Sequence, residues 1–394
     1  MKSIIFIVLL GVFVWNASPA ASPAEDTVGG NTIFASEMYS QLKDTRGNIF
    51  FSPYSISAAL AMTFAGAEEN TAKQMAEILH FGEDRKSLHA AFAEIGKRLN
   101  AGQDAYELST ANALWAQKDY TFLKKFTDLL EENYGAGLNE CDFINAAEKA
   151  GQTINRWVEE QTKNKIKELI KPGMTSPQTR LVLTNAIYFK GMWAAKFTKD
   201  MTRVAPFTLS DGTKTQVPMM YQKGKFVYSE TEDFQVLDLP YRGEEISMRI
   251  FLPKKTDGLK NMEKKLSAEM LNIQLPEFKR EIMVYLPKYK ISSQFMLADV
   301  LHAMGMTDAF GPSADFSGMT GNKELFISAV IHKAFADVNE EGTEAAAATA
   351  VVMTRKTGAV RQAVFRADHP FIFMIRDNIS GTVLFLGRVE NPNK

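Results

Sequence analysis

The sequence predicts an α+β fold with its helices gathered early and its strands gathered late. Apolar residues recur at spacing four through the N-terminal half. Short apolar runs of strand length replace that spacing in the middle and C-terminal parts. The two patterns follow one another without regular alternation, which argues against a doubly wound parallel sheet.

Taken in order, Phe34, Met38 and Leu42 mark the first amphipathic helix. Pro53, directly after Ser52, opens a second helix, where its missing N–H costs no hydrogen bond. Phe122, Phe126 and Leu129–Leu130 repeat the helical spacing, as do Ala150, Ile154 and Trp157–Val158. Residues 181–189 are apolar apart from Thr184 and Asn185, the pattern of a strand buried on both faces. Residues 217–221, 234–239, 247–252 and 282–286 read as further strands. Residues 371–375 and 383–386 flank an Asp-Asn-Ile-Ser-Gly turn and read as a hairpin. No internal repeat and no linker interrupts the chain.

The start of the chain reads as a secretory leader. Lys2 precedes an apolar core at 4–15, and Ser18-Pro19-Ala20 offers small residues for cleavage after Ala20. The core is too short for a membrane anchor. Residues 1–20 are therefore expected to be removed, leaving 21–394 as one secreted, extracellular domain with no membrane partner. In that setting Asn378-Ile379-Ser380 is a glycosylation sequon, equally readable as a plain turn.

Composition narrows the function. Among 394 residues, 45 are Lys or Arg and 46 are Asp or Glu, so a broadly basic nucleic-acid binder is excluded. The one cysteine, Cys141, rules out an internal disulfide or a Cys-rich zinc site and reads as a buried hydrophobe or an intermolecular link. No HExxH, GxSxG, Walker or GxGxxG motif is present, and the five histidines are scattered. Neither an enzyme nor a required cofactor or metal is expected.

One stretch, 339–358, fits neither pattern. Its four consecutive alanines favour a surface helix. The β-branched Thr349, Val351 and Val352 favour a strand. Read with period two, Thr343, Ala345, Ala347, Thr349 and Val351 form one small, uncharged face. The segment is soluble enough for a loop and small enough for an interior strand.

Four ordered motifs then carry a resemblance. They are Asn48-Ile49-Phe50-Phe51-Ser52-Pro53, Leu183-Thr184-Asn185-Ala186-Ile187-Tyr188-Phe189-Lys190-Gly191, Val338-Asn339-Glu340-Glu341-Gly342-Thr343-Glu344-Ala345, and Asp368-His369-Pro370-Phe371 with Phe385-Leu386-Gly387-Arg388-Val389. From Ala24 to the end the chain resembles a serpin. The resemblance implies three β-sheets, eight or nine helices and an exposed reactive-centre loop at about 340–362. It implies a suicide-substrate inhibitor: the target protease cleaves the loop, an acyl-enzyme forms, and the freed loop inserts into the large sheet and traps the protease. Its hinge would be Gly342, Thr343, Glu344, Ala345, Ala346, Ala347, Ala348 and Thr349.

The family's loop register places the reactive bond at Lys356-Thr357, or at Arg355-Lys356 one residue earlier. Either basic residue points to a trypsin-like serine protease as partner. Ser52, Ser55, Asn185 and His332 would form the shutter beneath the sheet, and Trp193 would lie at the breach where insertion begins. The resemblance implies a monomer with an optional heparin-like glycosaminoglycan cofactor. Candidate basic clusters are Lys163, Lys165, Lys167 and Lys171; Lys254, Lys255, Lys260, Lys264 and Lys265; and Arg85, Lys86, Lys97 and Arg98. The alternatives are a non-inhibitory carrier or chaperone, or an inhibitor of papain-like cysteine proteases.

Overall fold

A computed structural model describes residues 22–101, 105–135, 137–343 and 363–394. The first helix, Pro23–Leu42, starts from a capping box in which Ser22 and Glu25 satisfy each other's backbone N–H. Phe34, Met38 and Leu42 all face inward. Ser52 caps the helix Pro53–Phe64, all of whose residues are buried. Such a helix, buried all round, must lie between other elements. It packs on the strands Tyr106–Gln117, Leu181–Met192 and Val383–Val389.

The helix Lys124–Tyr134 begins after Phe122, so Phe122 stacks on Phe126 from outside it, with ring centres 6.3 Å apart. Ala150, Ile154 and Val158 are the buried stripe of Phe143–Gln161. Among the described residues there are ten α-helices, against the eight or nine expected. Two of these, Ala268–Leu271 and Ser317–Thr320, are single turns of four residues with no periodicity to read.

The strands form two hydrogen-bonded networks. One has six strands, in the order Tyr289–Met296, Ile327–Asn339, Gly342–Thr343, Leu181–Met192, Tyr106–Gln117 and Leu138–Cys141. The other has nine, linked through the long strand Lys214–Glu230. The first half of that strand pairs with Arg203–Thr208 and Arg280–Pro287, and its second half pairs with Phe234–Pro240. The nine-stranded network is thus two sheets sharing one strand, giving three sheets in all. Residues 371–375 and 383–386 form the expected hairpin, and the strand Ile246–Pro253 pairs along the Phe371–Asp377 side.

Candidate functional site

The six-stranded sheet contains a seam. Leu181–Met192 and Ile327–Asn339 run parallel and pair from Leu181/Ile327 to Tyr188/Phe335. Beyond Tyr188 they are separated by Gly342–Thr343, which runs antiparallel to both. Thr343 lies between Gly191 and Val338, and Gly342 between Met192 and Asn339. A further strand continuing from Thr343 would replace one parallel ladder with two antiparallel ones, the more stable pairing per residue.

A buried polar cluster bolts this seam shut. In register across it stand Asn185 and His332. Ser52 N–H donates to His332 Nε2 at 3.1 Å, so that nitrogen is an acceptor and the proton sits on Nδ1, which donates to Asn185 Oδ1. The two Asn185 Nδ2 hydrogens are shared among the Ser55 carbonyl and Oγ, both at 2.6 Å, and Asn112 Oδ1 at 2.5 Å. Ser52 Oγ accepts from Ser55 N–H at 3.1 Å and donates to the Leu384 carbonyl at 2.5 Å. Ser55 comes from the buried helix and Ser52 from its cap, and one residue comes from each of three adjacent strands. Asn112 is a member that sequence reasoning missed: it is an isolated amide in a strand whose periodicity is weak.

His332 is fully buried, and burial pushes it down to about 3. A proton on Nε2 would also face the Ser52 N–H it now accepts from. The ordinary histidine value is about 6.5. Between these values the unfolded chain binds the extra proton, so stability falls as pH drops below about 6.5, by up to about 1.4 kcal/mol per pH unit. Urea midpoints measured from pH 7.5 to pH 4.5 are expected to decline less in a His332→Gln variant. Equal slopes would show that His332 does not hold the seam.

At the open end of the seam Trp193 stacks on Tyr241 with ring centres 4.6 Å apart and donates Nε1–H to the Asn339 carbonyl at 2.9 Å. The Tyr241 hydroxyl meets Thr343 Oγ1 at 2.7 Å. Gly342 has φ +155°, and any Cβ there would overlap the Gly191 carbonyl oxygen. Only glycine lets the chain enter the sheet here.

The structure corrects the loop's near boundary. Residues 340–343 are buried rather than exposed. Glu340 pairs with Lys288 at 2.9 Å, and Glu341 with Lys196 at 2.6 Å and Lys199 at 3.3 Å. These ammonium groups are among the causes that hold both carboxyls below their ordinary value against the cost of burial. None of the three lysines, nor Tyr241, was marked by any motif; all lie far from the loop in sequence.

Glu344 to Thr349, with Arg355, Lys356 and Thr357, lie outside the described residues. Asn378 is exposed at its turn, donating Nδ2–H to the Glu244 carbonyl and accepting from Ser247 Oγ, each at 2.8 Å. Cys141 is buried, and burial pushes its thiol up to about 11. Arg85 bonds the Ala67 carbonyl over the Phe64 ring, and Arg98 pairs with buried Asp377. Half of that helix's basic cluster is therefore spent inside the fold. Among the described residues no group of acidic, His or Cys side chains could hold a metal.

The seam is closed from Leu181 to Tyr188 and holds the short antiparallel strand Gly342–Thr343 at its far end. The model of the family Serpin (serine protease inhibitor) matches residues 29–392. The chain belongs to the serpin family. Human leukocyte elastase inhibitor is 44% identical over 380 residues, covering 93% of this serpin and 100% of the relative. Serpin48 of the insect Tenebrio molitor superposes with TM-score 0.85 at 35% identity, covering 95% of this serpin and 100% of that chain. Human thyroxine-binding globulin, solved with its hormone, superposes equally well, with TM-score 0.85 at 32% identity over 94% of this serpin and 99% of that chain. A named inhibitor and a named hormone binder share this fold, so the fold alone does not fix the activity.

Proposed function

We propose that this serpin inhibits trypsin-like serine proteases by cleavage at Lys356-Thr357 followed by loop insertion. The observation that carries this reading is Thr343, fully buried between the two seam strands with Gly342 behind it. It sets the phase of the inserting strand. Ala345, Ala347, Thr349 and Val351 would then follow Thr343 onto the inner face, and all are small and uncharged. A charge there would cost several kcal/mol.

The chemistry is acyl transfer. The protease serine attacks the Lys356 carbonyl, the Lys356–Thr357 amide breaks, and Thr357 leaves as a free amine carrying the proton the serine gave up. Lys356 is then esterified to the protease. The loop zips into the seam, parting the Asn185–His332 bond, and carries the protease away before water can cleave the ester. Each ladder hydrogen bond gained is worth about 1 kcal/mol net.

Secretion through the 1–20 leader, a glycan at Asn378 and a monomeric, single-domain state at 21–394 belong to the same reading. Asn378 keeps one Nδ2–H clear of its bond to Glu244 for a sugar. An optional heparin-like glycosaminoglycan cofactor meeting one of the basic clusters belongs to that reading as well. The elastase inhibitors among the relatives favour a second reading, a protease with a small apolar pocket.

Mixing the purified protein with equimolar trypsin, and separately with elastase, tests this on a denaturing gel. A trypsin complex that survives denaturation, with a released peptide starting at Thr357, is the expected result. A complex with elastase alone selects the second reading. Cleavage without any complex overturns inhibition in favour of a carrier or chaperone. Papain serves as the cysteine-protease arm.

A further inference from the structure

The turn that starts the inserting strand has the wrong residues for its job. Glu340-Glu341 joins Asn339 to Gly342, which are paired neighbours, so it is a two-residue hairpin loop. Such loops favour type I′ or II′ turns, with positive φ at the first or both central residues and Asn, Asp or Gly there. Neither glutamate has positive φ. Their adjacent charges also repel. Local support comes from Asn339, whose Oδ1 accepts from Glu341 N–H at 3.0 Å, and the rest must come from the hairpin's surroundings.

Most of those surroundings are one segment, the direct continuation of Leu181–Met192. Trp193 N–H donates to the Glu341 carbonyl and Phe197 N–H to the Glu340 carbonyl, each at 2.9 Å. Thr202 Oγ1 donates to Glu340 Oε1 at 2.8 Å. The Glu341 carboxylate, side chain 8% exposed, sits between Lys196 at 2.6 Å and Lys199 at 3.3 Å. Lys288, from outside the segment, takes Glu340. The Glu341 grip joins the end of one seam strand to the continuation of the other.

Resting on the inhibitory reading above, we propose that Glu341 is a positioning residue for loop insertion. The Lys196–Glu341–Lys199 clamp holds a preformed hairpin from which the cleaved loop zips into the seam. The clamp does not need to break as the strand grows, because the turn lies at the strand's fixed end. It lies fifteen residues before Lys356 in the chain. Its loss should therefore slow insertion and leave cleavage alone. Slower insertion gives water more time to release the protease, so more inhibitor is consumed for each protease trapped.

The test compares wild type, Glu341→Gln and the Lys196→Gln/Lys199→Gln double variant against trypsin. Two quantities are read: the rate of loop cleavage and the moles of inhibitor consumed per mole of protease trapped. Both lysines are partly exposed, so neither is stranded when Glu341 is neutralised. The expected result is an unchanged cleavage rate with consumption raised about three- to tenfold. Combining all three substitutions should add nothing beyond Glu341→Gln. A merely structural role would lower the melting temperature without moving consumption, and that outcome overturns the clamp while leaving inhibition intact. Should wild type trap no protease, the inhibitory reading fails separately. The loop-cleaved chains are then compared for gain of heat resistance. A slower gain in Glu341→Gln supports the clamp, whereas equal gain, or no gain in wild type, overturns it.

Discussion

A Thr343→Arg variant is expected to be cut by trypsin at the wild-type rate and to trap almost none of it. Thr343 is fully buried between Gly191 and Val338, with its hydroxyl on Tyr241. An arginine cannot occupy that slot without burying its charge, at a cost of several kcal/mol. The chain would instead leave the sheet at Gly342, and the inserting strand would lose its first paired residue. Each 1.4 kcal/mol added to the insertion barrier slows it about tenfold. Hydrolysis of the acyl-enzyme would then win, and the inhibitor would behave as a substrate. Gel-resolved complex and cleaved product, measured across a range of inhibitor-to-protease ratios, give the answer. Wild-type trapping by the variant would mean that Thr343 does not enter the sheet during inhibition.

Lys356→Val is expected to slow association with trypsin by about a hundred- to a thousandfold, since a buried charge partner in the primary pocket is worth about 2–5 kcal/mol. The same change should quicken association with elastase. Arg355→Val reports the register: it should matter little if the cut follows Lys356 and be the damaging change if the cut follows Arg355. Second-order inhibition rates for both variants decide this. Trypsin inhibition unaffected by either substitution would remove the basic residues from target recognition.

Most of the secondary structure was legible because it depends on short-range pattern. The stripe of Phe34, Met38 and Leu42, the Ser52-Pro53 cap, and the apolar run at 181–189 each state their element within one or two turns of chain. Tyr106–Gln117 and Ile327–Asn339 were not legible. Their faces change neighbours along their length, so burial does not follow a single period. Ser52, Ser55, Asn185 and His332 could be named from the family resemblance and are joined in one hydrogen-bond network. Asn112 completes that network and could not be named, because a lone amide in a strand carries no local signature.

What the sequence by itself determined is the family, the α+β order of elements, the small, uncharged residues at alternate positions from Thr343 to Val351 and the basic pair Arg355-Lys356. These are properties of residues taken singly or at fixed spacing. The tertiary structure alone decided where the loop begins. Glu340 and Glu341 read as exposed residues, and in isolation they would be, since two charged side chains in water have no reason to be buried. Lys288, Lys196 and Lys199 reach them from elsewhere in the chain and offset the desolvation cost. No single stretch of sequence contains both halves of those pairs, so only the folded chain could draw the turn and its two following residues into the sheet.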